Sequence, residues 1–290
     1  MDSQVLILTS CPRSGTRFTM KFLEKHPEIG QFYGFDMPVR HHSYNPVCKP
    51  LQGLGGLTSI NTLNGYHIET PQMIKQQYTF KGIQNRLRSF YESQFPTHQG
   101  KYRSFFGHIT NPGYIWPLIA LKPFDFKVVA PIRHPLSVLI SDISSIRLAK
   151  QRGINIPTSN GSAWEFHDYI SVTLKLVASL KAHGNFLPLP LDLLSAKPPK
   201  QRQEEMRALV EEYLEITLTE SQISFIDSWK PIAHFKKSEY AEVFIPEEVM
   251  QGVRVLVRES GILELLGSIG VDYSESPPIP NQVAESIVDR

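Results

Sequence analysis

The feature that most constrains this chain is the stretch VLILTSCPRSGTRFTMKFLEKHPEI near its start. Four consecutive apolar residues, Val5 to Leu8, run into the polar turn CPRSGT, after which a helical pattern begins. A short apolar run bounded by turn residues is expected of a strand buried on both faces of a parallel sheet. A glycine in the turn lets the backbone come close to an anion, and the first N–H groups of the following helix point at that place. The opening therefore predicts a strand–turn–helix unit whose turn is laid out as an anion site.

The rest of the chain extends that unit. The first helix is expected over 17–25, closed by the His26-Pro27 boundary. Strands are expected over 102–109, over 126–135, where Val128 and Val129 are β-branched and prolines limit the run, and over 185–194. Helices are expected over 78–95, 114–121, 136–150, 163–182, 199–216, 219–229 and 246–267. Residues 30–78 are rich in Gly, Pro, Asn and His with poor periodicity, which reads as a long loop over the sheet. Strands alternating with helices predict an α/β fold of three layers, a mostly parallel central sheet with helices on both faces. A single domain over 1–290 is expected, with a lid or pocket-wall region at about 30–100 and a surface tail at about 274–290.

Composition narrows the partners. A chain of 290 residues and 33.0 kDa buries one generous core. Its net charge of +2 and pI near 8.4 are too mild for a nucleic-acid-coating surface. Two cysteines, Cys11 and Cys48, make no disulfide framework. No apolar run approaches a membrane span, and the N-terminus lacks a basic leader region. The expectation is a soluble, cytoplasmic protein, monomer or homodimer, with no membrane or nucleic-acid partner and with a small-molecule ligand.

In open parallel sheets ligands sit beyond the carboxyl ends of the strands. Two segments stand there, CPRSGTR and IRHPLSVLIS. The first does not fit the usual nucleoside-triphosphate loop, which needs Gly, four residues, then Gly-Lys-Ser/Thr. Aligned on Gly15, Ser10 replaces the first Gly, Thr16 the Lys and Arg17 the hydroxyl residue. The loop nevertheless keeps Gly15, the hydroxyls of Ser14 and Thr16, and the forked charge of Arg13 for a phosphate or sulfate oxygen. In the second, Arg133 leaves a strand end and Ser141 follows eight residues later in a helix opened by Pro135. Arg133 could serve an anion with Ser141 or pair with a nearby carboxylate such as Asp142.

Pro12-Arg13-Ser14-Gly15-Thr16 after a first buried strand resembles the 5′-phosphosulfate loop of sulfotransferases that use 3′-phosphoadenosine 5′-phosphosulfate (PAPS). Arg17 stands where that family has a second Thr, and Phe18 occupies its aromatic position. Arg133 and Ser141 resemble the family's 3′-phosphate pair, and HFKKSEY, with Lys236 and Lys237, its late basic loop. Pro190-Leu191-Asp192-Leu193 stands in place of a Tyr-Glu-Asp-Leu strand, without the tyrosine. His108 in FFGHITNP resembles the family's Thr-His-Leu-Pro catalytic histidine, with Gly107 in place of Thr and Phe106 where many members have Lys. The resemblance implies a P-loop-like sulfotransferase fold, PAPS as donor and PAP as product, no metal, Arg13 and His108 as catalytic groups, and adenine stacking near Phe18. His41 and His42 are the competing histidines, expected to line the acceptor pocket. Two rivals remain open: a small-molecule kinase with a degenerate loop, and a non-catalytic nucleotide-binding module.

Overall fold

The computed structural model describes residues 4–11, 13–34, 100–108, 125–138, 141, 166–229 and 247–275. Five strands form one sheet: β1 (Gln4–Ser10), β2 (Tyr33–Gly34), β3 (Tyr102–His108), β4 (Phe126–Ile132) and β5 (Phe186–Pro190), in the order β2-β3-β1-β4-β5. Every pairing is parallel. β1 lies at the centre, with Val5 beside Arg103 on one flank and beside Phe126 on the other. Its burial from Val5 to Ser10 accounts for the uninterrupted apolar run, since a central parallel strand has no solvent face.

The pleat divides the core in two. Leu6, Leu8, Val129, Leu187 and Leu189 face one side and pack with Phe22 and Leu23 of α1 (Thr16–Leu23). Two helices that follow α2 (Phe166–His183) and the short α3 (Leu191–Ser195) join this layer: α4 (Pro199–Leu214) through Met206, Val210 and Leu214, and α5 (Glu220–Asp227) through Ile226. Val5, Ile7, Val128 and Ala130 are buried on the other side. There Phe126 stacks on His183 at the end of α2, 4.4 Å between centroids, and Cys11 meets Thr173 of α2. The three-layer α/β architecture read from the sequence is the observed one.

The sheet end at which the strands begin is tied to the C-terminus of α4. Glu215 turns out of that helix in the left-handed region, φ 53°. Lys127 and Lys101 both reach its carboxylate, at 2.8 and 3.2 Å. Their ammonium groups also donate to Tyr213 and Leu214 carbonyls, and the Tyr102 hydroxyl donates to the Leu214 carbonyl at 2.8 Å. Cations on the last carbonyls of a helix complement its dipole.

Several boundaries differ from expectation. The strand expected over 126–135 stops at Ile132, and Val138 N–H closes a helical turn on the His134 carbonyl. The strand expected over 185–194 stops at Pro190, and Leu191 opens α3. Its prolines are tolerated because β5 is the sheet edge among the described strands. The helix expected over 246–267 is two, α6 (Glu247–Glu259) and α7 (Ile262–Gly267). Gly261 separates them at φ 65°, a conformation that a side chain disfavours. The long loop expected over 30–78 contributes the short strand β2. Val271 and Tyr273 are buried just before the expected tail, with the Tyr273 hydroxyl donating to the Ile132 carbonyl at 3.2 Å. The expected helices over 78–95 and 114–121 lie outside the described residues. Among the described residues no helix is long and apolar enough to cross a membrane.

Candidate functional site

The chain moves to one side of β1 to form β2 and β3, then to the other side to form β4 and β5. The carboxyl end of β1 is therefore the point where the strand order reverses, and an open parallel sheet has its crevice there. The turn after β1, the end of β3 and the end of β4 all deliver residues to it.

The turn is sharply bent. Ser14 N–H donates to the Cys11 carbonyl at 3.3 Å. Arg13 stands at φ 64° and Gly15 at φ 87°. For Gly15 that is inexpensive, and its missing side chain is also required: a Cβ there would meet Leu191 Cδ1 at 2.3 Å. For Arg13 the left-handed region costs about 1–2 kcal/mol, and such outliers persist where surrounding bonds fix them. Here the Arg133 Nη1 donates to the Arg13 carbonyl at 3.2 Å. α1 starts on Gly15 with no side-chain cap and no acid in its first turn, so its leading N–H groups keep their positive end for an anion.

The hydroxyls divide their roles. Ser14 is buried, and Thr16 Oγ1 is turned back onto Ser10 Oγ of β1 at 2.6 Å. That bond seats the start of α1 on the central strand. Arg13 and Arg17 are both exposed. Burial pushes the Cys11 thiol up to about 12, against a smaller opposing effect of its Thr173 hydrogen bond, so it is no nucleophile. Phe18 is half-buried and stacks on Trp229 at 4.2 Å, on Phe225 at 5.3 Å and on Phe22 at 6.4 Å. The Arg202 guanidinium lies 5.4 Å from the Trp229 ring centroid, buried, with Nε and Nη2 making no hydrogen bond.

At the end of β4 Arg133 pairs with Asp192; Asp142, the carboxylate near it in sequence, lies outside the described residues. Arg133 Nε donates to Asp192 Oδ1 at 2.8 Å, and His134 N–H donates to Oδ2 at 2.8 Å. Two of the five guanidinium N–H donors are thus taken, by Asp192 and by the Arg13 carbonyl. His134 is fully buried, and its Nδ1 accepts from Leu136 N–H at 3.1 Å. Nε2 is then the protonated nitrogen, donating to the Ser274 carbonyl at 3.0 Å. Burial pulls this imidazole below its ordinary pKa and Arg133 adds to that, while the Ser274 bond and Asp192 oppose it. Ser141 is helical and buried.

His108 is the last residue of β3, in register with Ser10 of β1, and its backbone is what the structure describes. The turn, His108 and Arg133 therefore share one end of three adjacent strands. His41, His42, Lys236 and Lys237 lie outside the described residues, as does Pro12. Sequence reasoning missed Asp192 and His134 as members of the site. The signal for Asp192 was an acid one residue into a helix after a strand, in a segment already aligned with a family motif. Among the described residues no cluster of three His, Cys, Asp or Glu side chains suits a metal ion.

Fold and site together define an α/β protein with a crevice at the switch point of a parallel sheet, bordered by the uncapped start of α1 and by Arg133. Compared with known structures, the chain is similar to the sulfotransferase domain from the Synechococcus PCC 7002 olefin synthase: TM-score 0.38, 13% identity, 94% of this chain and 98% of that one. It is also similar to the sulfotransferase domain from the curacin biosynthetic pathway: TM-score 0.43, 11% identity, 94% and 99%. No family model and no curated protein matches the chain.

Proposed function

We propose that this protein transfers a sulfuryl group from PAPS to a hydroxyl or amine of a small-molecule acceptor. The observation that carries the reading is the joining of the two arginine-bearing loops, with Arg133 Nη1 on the Arg13 carbonyl at 3.2 Å. A donor with phosphates at both ends of its ribose needs two anion sites held in fixed relation. The uncapped N-terminus of α1 supports one such site in this reading, and Arg133 after the end of β4 supports the other.

In this reading Arg13, Ser14, Gly15, Thr16 and the α1 amides hold the 5′-phosphosulfate, with Arg17 adding exposed charge. Arg133 and Ser141 hold the 3′-phosphate, and Lys236 and Lys237 close over it. The aromatic group of Phe18 borders the adenine. Transfer breaks the S–O bond to the phosphate and forms a new S–O or S–N bond to the acceptor. Charge builds on the departing phosphate, which in this reading Arg13 and the amides stabilise. His108 accepts the acceptor's proton, a role that suits an imidazole near neutral pH. His41 and His42 are assigned to the acceptor pocket.

The test is thermal unfolding with PAP, ADP or ATP, each with and without magnesium. PAP at a hundred times its Kd adds about 2.7 kcal/mol, a rise of roughly 5 °C or more, without metal. Stabilisation by magnesium-ATP with none by PAP would transfer the reading to a kinase. Binding of PAP with no turnover across an acceptor panel would leave a nucleotide-binding module.

A further inference from the structure

We infer that Asp192 is a positioning residue, whose carboxylate fixes Arg133 so that one guanidinium serves both anion loops. This rests on the reading above, which assigns Arg133 to the 3′-phosphate. Asp192 is buried at the head of α3, on the strand end next to β4. Both of its oxygens are engaged by consecutive residues of the β4 end, Nε of Arg133 and N–H of His134, each at 2.8 Å. A carboxylate held at both oxygens cannot swing, so the guanidinium plane it grips is held as well. Nη1 is then aimed at the Arg13 carbonyl, 3.2 Å away. Beyond these two bonds the guanidinium has one further N–H on Nη1 and two on Nη2, which an anion can engage without reorganising a long side chain.

A second account of Asp192 makes the opposite prediction. If the carboxylate only neutralised a half-buried arginine, removing its charge would leave the crevice more positive and bind a bis-phosphate more tightly. If it positions Arg133, removing it frees the guanidinium and weakens binding despite the gain in positive charge. The sign of the change separates the two.

The experiment is calorimetric titration of Asp192→Asn with PAP and with adenosine 5′-phosphate, which lacks the 3′-phosphate. The expected result is PAP binding weakened about tenfold or more, and adenosine 5′-phosphate by less than about threefold. In an Arg133→Ala background the same substitution is expected to change PAP binding no further. Asp192→Glu keeps the charge and displaces it by one methylene, so it also weakens PAP if position matters; it carries the test if the Asn variant does not fold. Tighter or unchanged PAP binding, equal loss of both ligands, or additivity with Arg133→Ala overturns the inference and leaves the donor assignment standing. A wild-type protein that binds PAP no better than adenosine 5′-phosphate overturns the donor assignment, and this inference with it.

Discussion

Gly15→Ala is the substitution for which the structure yields the firmest magnitude. Two penalties act together. Holding a side-chain-bearing residue at φ 87° costs about 1–2 kcal/mol, the usual left-handed penalty. The new methyl would also stand 2.3 Å from Leu191 Cδ1, well inside contact distance. Leu191 is buried in the core beside Leu194 and Leu189, so it yields only by repacking, at about 1–3 kcal/mol. The expected loss is roughly 2–5 kcal/mol, read from urea unfolding followed by circular dichroism. A cycle with Leu191→Ala separates the parts. Shortening Leu191 removes the overlap and leaves the backbone strain, so the pair should couple by about 1–3 kcal/mol in the direction of rescue. A Gly15→Ala protein within about 0.5 kcal/mol of wild type, or strictly additive singles, would refute this packing of the turn against α3.

Two further outcomes are expected. His108→Ala should lower turnover by about a hundredfold or more while PAP still binds; near-normal turnover in an acceptor-saturated assay would remove His108 from the mechanism. His134 is neutral in the fold, with a pKa lowered mainly by burial, so the folded protein binds fewer protons than the unfolded chain just below the ordinary histidine value. Its stabilisation is complete above about pH 6.5 and is lost as pH falls. Urea midpoints should therefore decline between pH 7 and 5, less steeply in His134→Asn. Glu215, held below the usual carboxylate range by hydrogen bonds from Lys127 and Lys101, acts only at lower pH and does not confuse that window.

What was legible in the sequence followed from local pattern. β1, its turn and α1 were readable because a buried central strand leaves an unbroken apolar run and the turn carries its own glycine. β4 was readable from its β-branched pair, and its stop at Ile132 was missed because Pro131 lies beyond the last residue paired with β1 and so breaks no ladder there. The partner of Arg133 was not readable. Asp142 was the near candidate in sequence, whereas Asp192 arrives from the far side of α2 and β5, by a proximity that only the fold creates. The same holds for His134, which reads as one more histidine among ten until the Ser274 carbonyl is seen against it. Phe18 was readable as aromatic beneath the loop, but its stack with Trp229 and Phe225 depends on α5 returning to α1.

The central place of β1 has a consequence for how the protein is made. Of the five described strands β1 leaves the ribosome first, yet its two neighbours are β3 and β4, about a hundred residues later in the chain. Until they emerge, an apolar segment with no solvent face has no partner, and its pairing is the slow, non-local kind. The turn that follows it gains its shape later still, since Leu191 backs Gly15 and Asp192 sets Arg133. Nascent chains released before residue 192 thus carry the CPRSGT segment without the Leu191 and Asp192 contacts that back it in the fold.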